Sequence, residues 1–358
     1  MKMDVNRSRN QISLDHKFWI TSSGSHVNVM SAEMQKVTVQ TITPQKQKPD
    51  WAGENLLSRV VNRLIETKPI YRVMKQQARQ VLIKTAEKNG IPWRENYERL
   101  KASGIQSTLG TVTNPDIVYP DYYQVPFHAY DDGNLCWDAA FEAESATYSM
   151  ALRVWKEEAL TAAEAQARLR SSFHQVLADQ KVEAIDILDL GCSVGISTLT
   201  LHHYYQSQQA RPVRTTGFDL SPYMLAIAQQ RDTNGEIAAW IHGRAEATGF
   251  ANESFDLVTL QFVLHELPRS VTAEIFQEIN RILRPGGTCA IVDNNPYSQV
   301  IQSLSPVLFT LMKSTEPWTD DYYTFNVEEA LTNTGFTNIF TVESDPRHRT
   351  IVAHKSNI

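Results

Sequence analysis

The sequence predicts an α/β protein: an open, mostly parallel, doubly wound sheet preceded by a helical region. Three observations carry that expectation. Short apolar runs alternate with helical patterns from Ala184 to Val292, as strand-helix-strand units require. The first two of those runs each end in a carboxylate followed by small residues. Upstream, apolar residues recur at three- and four-residue spacing, with no strand-like alternation.

The elements follow in chain order. Residues 1 to 50 lack an apolar secretory core and contain Asp4, Asp15 and Glu33, so they read as a disordered tail. Met30 and Met34 leave open an upstream extension of the reading frame. From Trp51, Leu56, Leu57, Val60, Val61, Leu64 and Ile65 mark a helix, and a second is expected from Tyr71 to Lys88, stopped by Asn89-Gly90. Pro92 suits the first turn of a short helix through Trp93, Tyr97 and Leu100.

Between Asn114 and Asp132, Pro115, Pro120 and Pro126 punctuate an aromatic stretch that includes Tyr119, Tyr122, Tyr123, Phe127, His128 and Tyr130. Proline at that density forbids a regular element and predicts an ordered loop. Asp131 and Asp132 most simply serve the turn before Gly133. An Ala- and Glu-rich helical pattern then runs from Leu135 to about Leu177.

The sheet follows as strands Ile185 to Leu190, Val213 to Asp219, Ile237 to Ile241, Phe255 to Leu260 and Thr288 to Val292. Helices are expected at Val194 to Tyr205, Pro222 to Arg231 and Thr272 to Leu283. Asn338 to Val342 and Thr350 to His354 suit a terminal hairpin on one edge. The domains expected are a tail over 1–50, a helical accessory region over 51–180 and a catalytic domain over 181–358.

Composition narrows the function. The 358 residues are 42% hydrophobic, enough for a full core, and 34 basic against 40 acidic residues give net charge −6. No global positive field attracts a phosphate backbone, so DNA is not expected as a partner and RNA is disfavoured. Cys136, Cys192 and Cys289 form no C-x-x-C pair, which fits a reducing compartment and gives no readable metal site. Val300 to Met312 is interrupted and too short to span a bilayer. A cytoplasmic location is expected, with an organellar address left open and the oligomeric state unread.

The chemistry concentrates at the strand tips. Ile187-Leu188-Asp189-Leu190-Gly191-Cys192-Ser193-Val194-Gly195 places an acid at a buried strand end, then a small-residue turn into a helix. Ligands of open parallel sheets bind there, beside the free N–H groups of the helix start. Gly217-Phe218-Asp219-Leu220-Ser221 ends the next strand in a carboxylate able to accept from both hydroxyls of a ribose, with Leu220 and Met224 placed to cover an adenine face. As a simpler reading, Asp189 is a polar strand end and Asp219 a helix cap.

This pair of motifs resembles the first two of the class I S-adenosylmethionine-dependent methyltransferases, in the group with the small-molecule methyltransferase domain. Gly243 to Phe250 resembles that family's adenine-contacting turn, Ser254-Phe255-Asp256-Leu257-Val258 its fourth strand and Leu283-Arg284-Pro285-Gly286-Gly287 the turn before its fifth. The resemblance covers residues 184 to 293. It implies a Rossmann-like, seven-stranded sheet with an antiparallel terminal hairpin and S-adenosyl-L-methionine as cofactor.

The cofactor residues it implies are Asp189, Gly191, Cys192, Ser193, Gly195, Asp219, Leu220, Met224, Ala245, Glu246 and Gln261, with Asp189 toward the cofactor's ammonium group. Two positions depart from the pattern. Ser193 replaces the middle glycine, and Arg244 occupies the acid slot at the adenine, where Glu246 or the backbone beside Ala245 would have to accept instead. A nicotinamide dehydrogenase is disfavoured, because G-x-G-x-x-G aligned from Gly191 would need glycine at Ser193 and Ile196.

After the fourth strand, Gln261-Phe262-Val263-Leu264-His265-Glu266-Leu267 begins the region where the family's substrate pocket starts. His265 is a candidate general base near neutral pH, against a capping or packing role; Glu266 reads as a surface or capping carboxylate. An Asn/Asp-Pro-Pro-aromatic signature is absent there, which disfavours nucleobase and amide nitrogen acceptors. Asn294-Asn295-Pro296-Tyr297 follows the fifth strand instead and reads as a turn.

Tyr122, Tyr123 and His128 from the aromatic loop, with Trp318, Tyr322 and Tyr323, are candidate walls for a small acceptor, or anchors of the helical extension. The expected function is methyl transfer to an oxygen or carbon of a small metabolite. The alternatives are an RNA methyltransferase using the basic stripe Lys68, Arg72, Lys75, Arg79 and Lys84, and a methyltransferase-like binding protein without catalysis.

Overall fold

A computed structural model describes residues 79–128, 130–304, 312 and 315–357. The expected tail, the helix over Leu56 to Ile65 and most of the basic stripe lie outside these residues.

The described chain is helical over 79–88 and turns at Asn89-Gly90, where Gly90 takes a φ of +83°. Helix α1 (Trp93–Ala102) follows, with Pro92 as its cap rather than its first residue. The long helical pattern after Leu135 resolves into two helices, α2 (Trp137–Val154) and α3 (Ala162–Asp179). The break is written in a capping box: Thr161 Oγ1 accepts from Glu164 N at 3.2 Å and Thr161 N donates to Glu164 Oε2 at 2.8 Å. Reading continuous periodicity across it missed that local stop.

Seven strands form one sheet: β1 (Asp186–Leu190), β2 (Arg214–Asp219), β3 (Ala239–His242), β4 (Phe255–Gln261), β5 (Leu283–Asn294), β6 (Phe336–Glu343) and β7 (His348–Lys355). Their order is β3-β2-β1-β4-β5-β7-β6. The first five are parallel; β7 runs antiparallel between β5 and β6. The mostly parallel sheet and its antiparallel terminal hairpin are therefore as the sequence predicts.

Helices α4 (Ile196–Gln208), α5 (Pro222–Arg231) and α6 (Arg269–Ile282) cross between the strands, and α7 (Thr319–Tyr323) and α8 (Val327–Asn333) precede the hairpin. Alternation along β1 sends side chains to both faces. Leu188 and Leu190 pack with Phe276 and Ile279 of α6, while Ile187 packs with Phe173 and Leu201 on the other face.

Arg284 to Gly287 is not the reversing turn the sequence suggested. Helix α6 runs directly into β5, and these residues form an irregularity inside the strand, since Phe255 pairs with Leu283 while Leu257 pairs with Thr288. Gly286, at φ +74°, absorbs the distortion. Asn295 to Ser298 is a turn, with Asn295 Oδ1 accepting from Tyr297 N at 3.0 Å.

Among the described residues the three cysteines are free, no cluster suits a metal ion, and no helix is long and apolar enough to cross a membrane.

Candidate active site

The site is assembled where β1 and β2 end side by side. Gly191 adopts φ +72°, and its N–H donates to Phe218 O at 2.8 Å, folding the turn across the tip of β2. A Cβ at this position would lie 2.5 Å from Val263 Cγ2. Gly195, at φ +78°, opens α4. Between them Ser193 is also left-handed, at φ +47°, which aims its N–H at Asp219 Oδ2, 2.8 Å away.

Asp219 receives a second backbone bond, from Ser221 N to Oδ1 at 2.8 Å. Each carboxylate oxygen thus has one backbone donor and lone-pair capacity for another. Burial pushes its pKa up to about 6, against the pull of these N–H groups. Leu220 and Met224 are buried beside it, and Ser193 Oγ lies 3.6 Å from the Met224 sulfur. Cys192 is buried, its thiol pushed well up by desolvation and by the Asp219 and Asp189 charges.

Asp189 is held inside the protein. Its carboxylate has no exposure and accepts from Ser197 Oγ at 2.7 Å, Thr198 Oγ1 at 2.8 Å and Thr259 Oγ1 at 2.6 Å. Enclosed by three hydroxyls, it holds α4 and β4 to the end of β1.

Gln261 is likewise inside the network: Nε2 lies 3.4 Å from Asp189 Oδ1, and Oε1 accepts from Arg170 Nη1 at 2.9 Å. Arg170, which the sequence reading missed, lies on the buried face of α3 over the Phe262 ring. Its Nε has no partner among the described residues, and burial, only partly offset by Asp189, lowers its pKa to about 10. The signal for it was an arginine set among Leu169, Phe173 and Leu177 on an apolar helix face.

After β3, Ala245 is half-buried, and Glu246 is already engaged. Arg244 Nε donates to Glu246 Oε1 at 3.1 Å and Tyr122 OH to Oε2 at 3.1 Å. The arginine in the family's acid slot therefore neutralises the very carboxylate expected to replace that acid.

The aromatic loop straps both halves of the site together. Asn114 N and Tyr119 OH reach His242, which also approaches Leu220 O at 3.0 Å, and Ser221 Oγ donates to Asn134 O at 2.6 Å. Further along, Trp318 Nε1 donates to Tyr122 O at 3.3 Å and His128 N to Thr315 O at 2.9 Å. Two of the six proposed wall residues, Tyr122 and Trp318, thus serve as fastenings. Tyr322 is a correction: it is 2% exposed, packs in the main core and donates to Asn294 O at 2.5 Å.

Beyond the tips of β4 and β5 lies a cluster of charged side chains. His265 Nδ1 is 2.7 Å from Asp293 Oδ1, and His265 N also donates to Asp293 Oδ2 at 3.2 Å. Burial opposes a charge on His265, but Asp293, Glu316 and Glu266 outweigh it and lift its pKa to about 10. The Asp293 carboxylate favours the protonated imidazole.

Glu266 is partly buried. It faces His128 at 3.8 Å, and burial, opposed by His265 and reinforced by Glu316, raises its pKa to about 8. His128 keeps 40% of its side chain accessible, yet desolvation and the His265 charge hold it down to about 3. Tyr123 stands between the two ends, its phenol pushed well up by burial and then by Asp219 and Glu266. Tyr323 is buried near Arg347, Glu316 and Asp293, whose charges it feels. Asp293 and Glu316 were missed because nothing local in sequence joins them to His265.

The strand order, the left-handed glycine turn after β1 and the carboxylate closing β2 are the features the sequence expects of a class I methyltransferase domain. Residues 188–291 match the methyltransferase domain family model. The demethylmenaquinone methyltransferase of Lactiplantibacillus plantarum is 31% identical over 150 residues, which cover 41% of this chain and 54% of that protein. That of Staphylococcus aureus is 32% identical over 109 residues, covering 30% and 42%. The chain thus spans about half the length of the curated relatives it matches. A methyltransferase structure from Aquifex aeolicus superposes on 52% of this chain and 92% of its own, at 16% identity and TM-score 0.40.

Proposed function

We propose that this chain transfers a methyl group from S-adenosylmethionine to an oxygen or carbon of a small molecule. The observation that carries the reading is Asp219, a buried carboxylate at the tip of β2, oriented by Ser193 N and Ser221 N. It would accept the ribose hydroxyls, with Gly191 and the start of α4 bordering the methionine part and Leu220 and Met224 covering the adenine. Arg170, with an unpartnered buried Nε beside Gln261, is suited to the cofactor's carboxylate.

The cofactor supplies an electrophilic methyl group. The chain has to hold a nucleophile in line with it, exclude water and manage one proton. Asp293 occupies His265 Nδ1, so Nε2 is the nitrogen left for an acceptor. A fixed imidazolium there stabilises an oxyanion on the acceptor, a phenolate or enolate. Glu266, poised near neutrality, would take the acceptor's proton. Residues 181–358 form the catalytic part in this reading, and the preceding helices and aromatic loop cover it.

The test is calorimetry of the full chain with S-adenosylmethionine and S-adenosylhomocysteine, followed by labelled methyl transfer to a metabolite extract and to RNA. Binding with label in small molecules supports the reading. A folded chain that binds neither compound rejects it, and label confined to RNA rejects the acceptor class.

A further inference from the structure

Phe262 is the first residue past β4, and its backbone is left-handed, at φ +63°. A bulky side chain takes that conformation only at a cost in free energy, so the surrounding structure must hold it there. Its N–H is tied to the neighbouring strand, donating to Val292 O of β5 at 2.8 Å. Its ring is half-buried.

Along β4 the side chains alternate between the two faces of the sheet. Val258 and Leu260 pack in the core with α6, while Leu257 packs with Phe173 of α3 and Leu201 of α4. Thr259 and Gln261 point to that second face too, where both meet Asp189. Continued extension would send Phe262 to the α6 side. Its ring instead packs on the α3 side, against the clusters that contain Phe173 and Leu169, with the His348 ring edge-on at 5.0 Å. Val263 then returns to the α6 core and covers Gly191. The left-handed residue thus puts two consecutive side chains on one face, and both meet Arg170. Gln261 Oε1 accepts from its Nη1 at 2.9 Å, and the guanidinium carbon lies 5.4 Å from the Phe262 ring centroid.

Arg170 is 6% exposed, its hydrogen-bond partner Gln261 is neutral, and its Nε has no partner among the described residues. An aromatic face attracts a guanidinium through its ring quadrupole and uses none of the N–H donors. The ring therefore fixes the cation while leaving donors for a carboxylate. We propose that Phe262 is a positioning residue: its left-handed backbone places the ring so that Arg170 is held ready for the carboxylate of S-adenosylmethionine. This rests on the methyltransferase reading and names what makes its amino-acid end selective.

The test is calorimetry of the full chain with S-adenosylhomocysteine and with its decarboxylated analogue, which keeps the amine and lacks the carboxylate. Wild-type chain is expected to prefer S-adenosylhomocysteine roughly tenfold or more, and Arg170→Gln to lose that preference. Phe262→Leu is expected to weaken S-adenosylhomocysteine roughly 2- to 30-fold and to leave the analogue unchanged, which also checks folding. Phe262→Tyr should restore the preference. Pentafluorophenylalanine placed at position 262 keeps the shape of the ring and removes its negative face, so it should act as Leu does even if the Leu variant fails to fold. A preference that survives both the Leu and the fluorinated variants, an equal loss for the two ligands, or a wild-type chain that binds both equally overturns the proposal. Wild-type chain that binds neither ligand would instead remove the methyltransferase reading itself, and the proposal with it.

Discussion

His265 Nδ1 lies 2.7 Å from Asp293 Oδ1, joining the turn after β4 to the end of β5. The pair favours the protonated form of this histidine.

A pH profile follows from that pair and its neighbour. Glu266 ionises through about 8 and His265 loses its proton through about 10, so kcat/KM should rise and then fall around those values. Glu266→Gln should flatten the acid limb. Asp293→Asn should move the alkaline limb to lower pH, because the imidazolium loses its counter-charge. A profile unchanged in both variants would contradict the assignment. The same shift makes stability pH-dependent: the His265 contribution is complete below about 6.5 and is lost as pH rises through about 10.

Asp219 and Asp189 should behave differently. Asp219→Asn is expected to weaken S-adenosylhomocysteine binding by about 1–3 kcal/mol, roughly 5- to 150-fold, with little loss of stability. Asp189→Ala strands the hydroxyls of Ser197, Thr198 and Thr259 in the interior and should lower unfolding free energy by at least about 2 kcal/mol. Denaturant titration beside calorimetry separates them; equal effects on both quantities would refute the division of roles.

Cofactor affinity should also fall as pH drops through about 6, where Asp219 protonates. The unliganded protein should show the opposite trend from this group. A raised carboxylate pKa contributes stability below its unfolded value, and that contribution disappears as pH climbs through about 6. Calorimetry and thermal melts across pH 5 to 8 check both signs.

Gly191→Ala combines a left-handed residue with a Cβ 2.5 Å from Val263 Cγ2. The expected cost is about 2–4 kcal/mol in stability. Val263→Ala in the same chain should recover the steric part and leave the cost of the positive φ. Full recovery in the double variant would show that the backbone is unstrained there.

The fold and the strand-tip motifs were legible because both are local. Alternating patterns set the strands, and Asp189, Gly191 and Asp219 sit at fixed offsets from them. What was not legible depends on distant residues. Thr259, supplied by β4, helps enclose the Asp189 carboxylate, and Asp293, on β5, changes the charge of His265. Arg170 came from a helix whose apolar pattern concealed it, and Tyr322 read as a pocket aromatic only because its main-chain partner, Asn294 O, is 28 residues away.

The most direct measurement is a crystal structure of the full chain with S-adenosylhomocysteine. The account predicts both ribose hydroxyls within hydrogen-bonding distance of Asp219, and the sulfur directed toward His265. A ligand bound elsewhere, or a ribose that leaves Asp219 untouched, would contradict it.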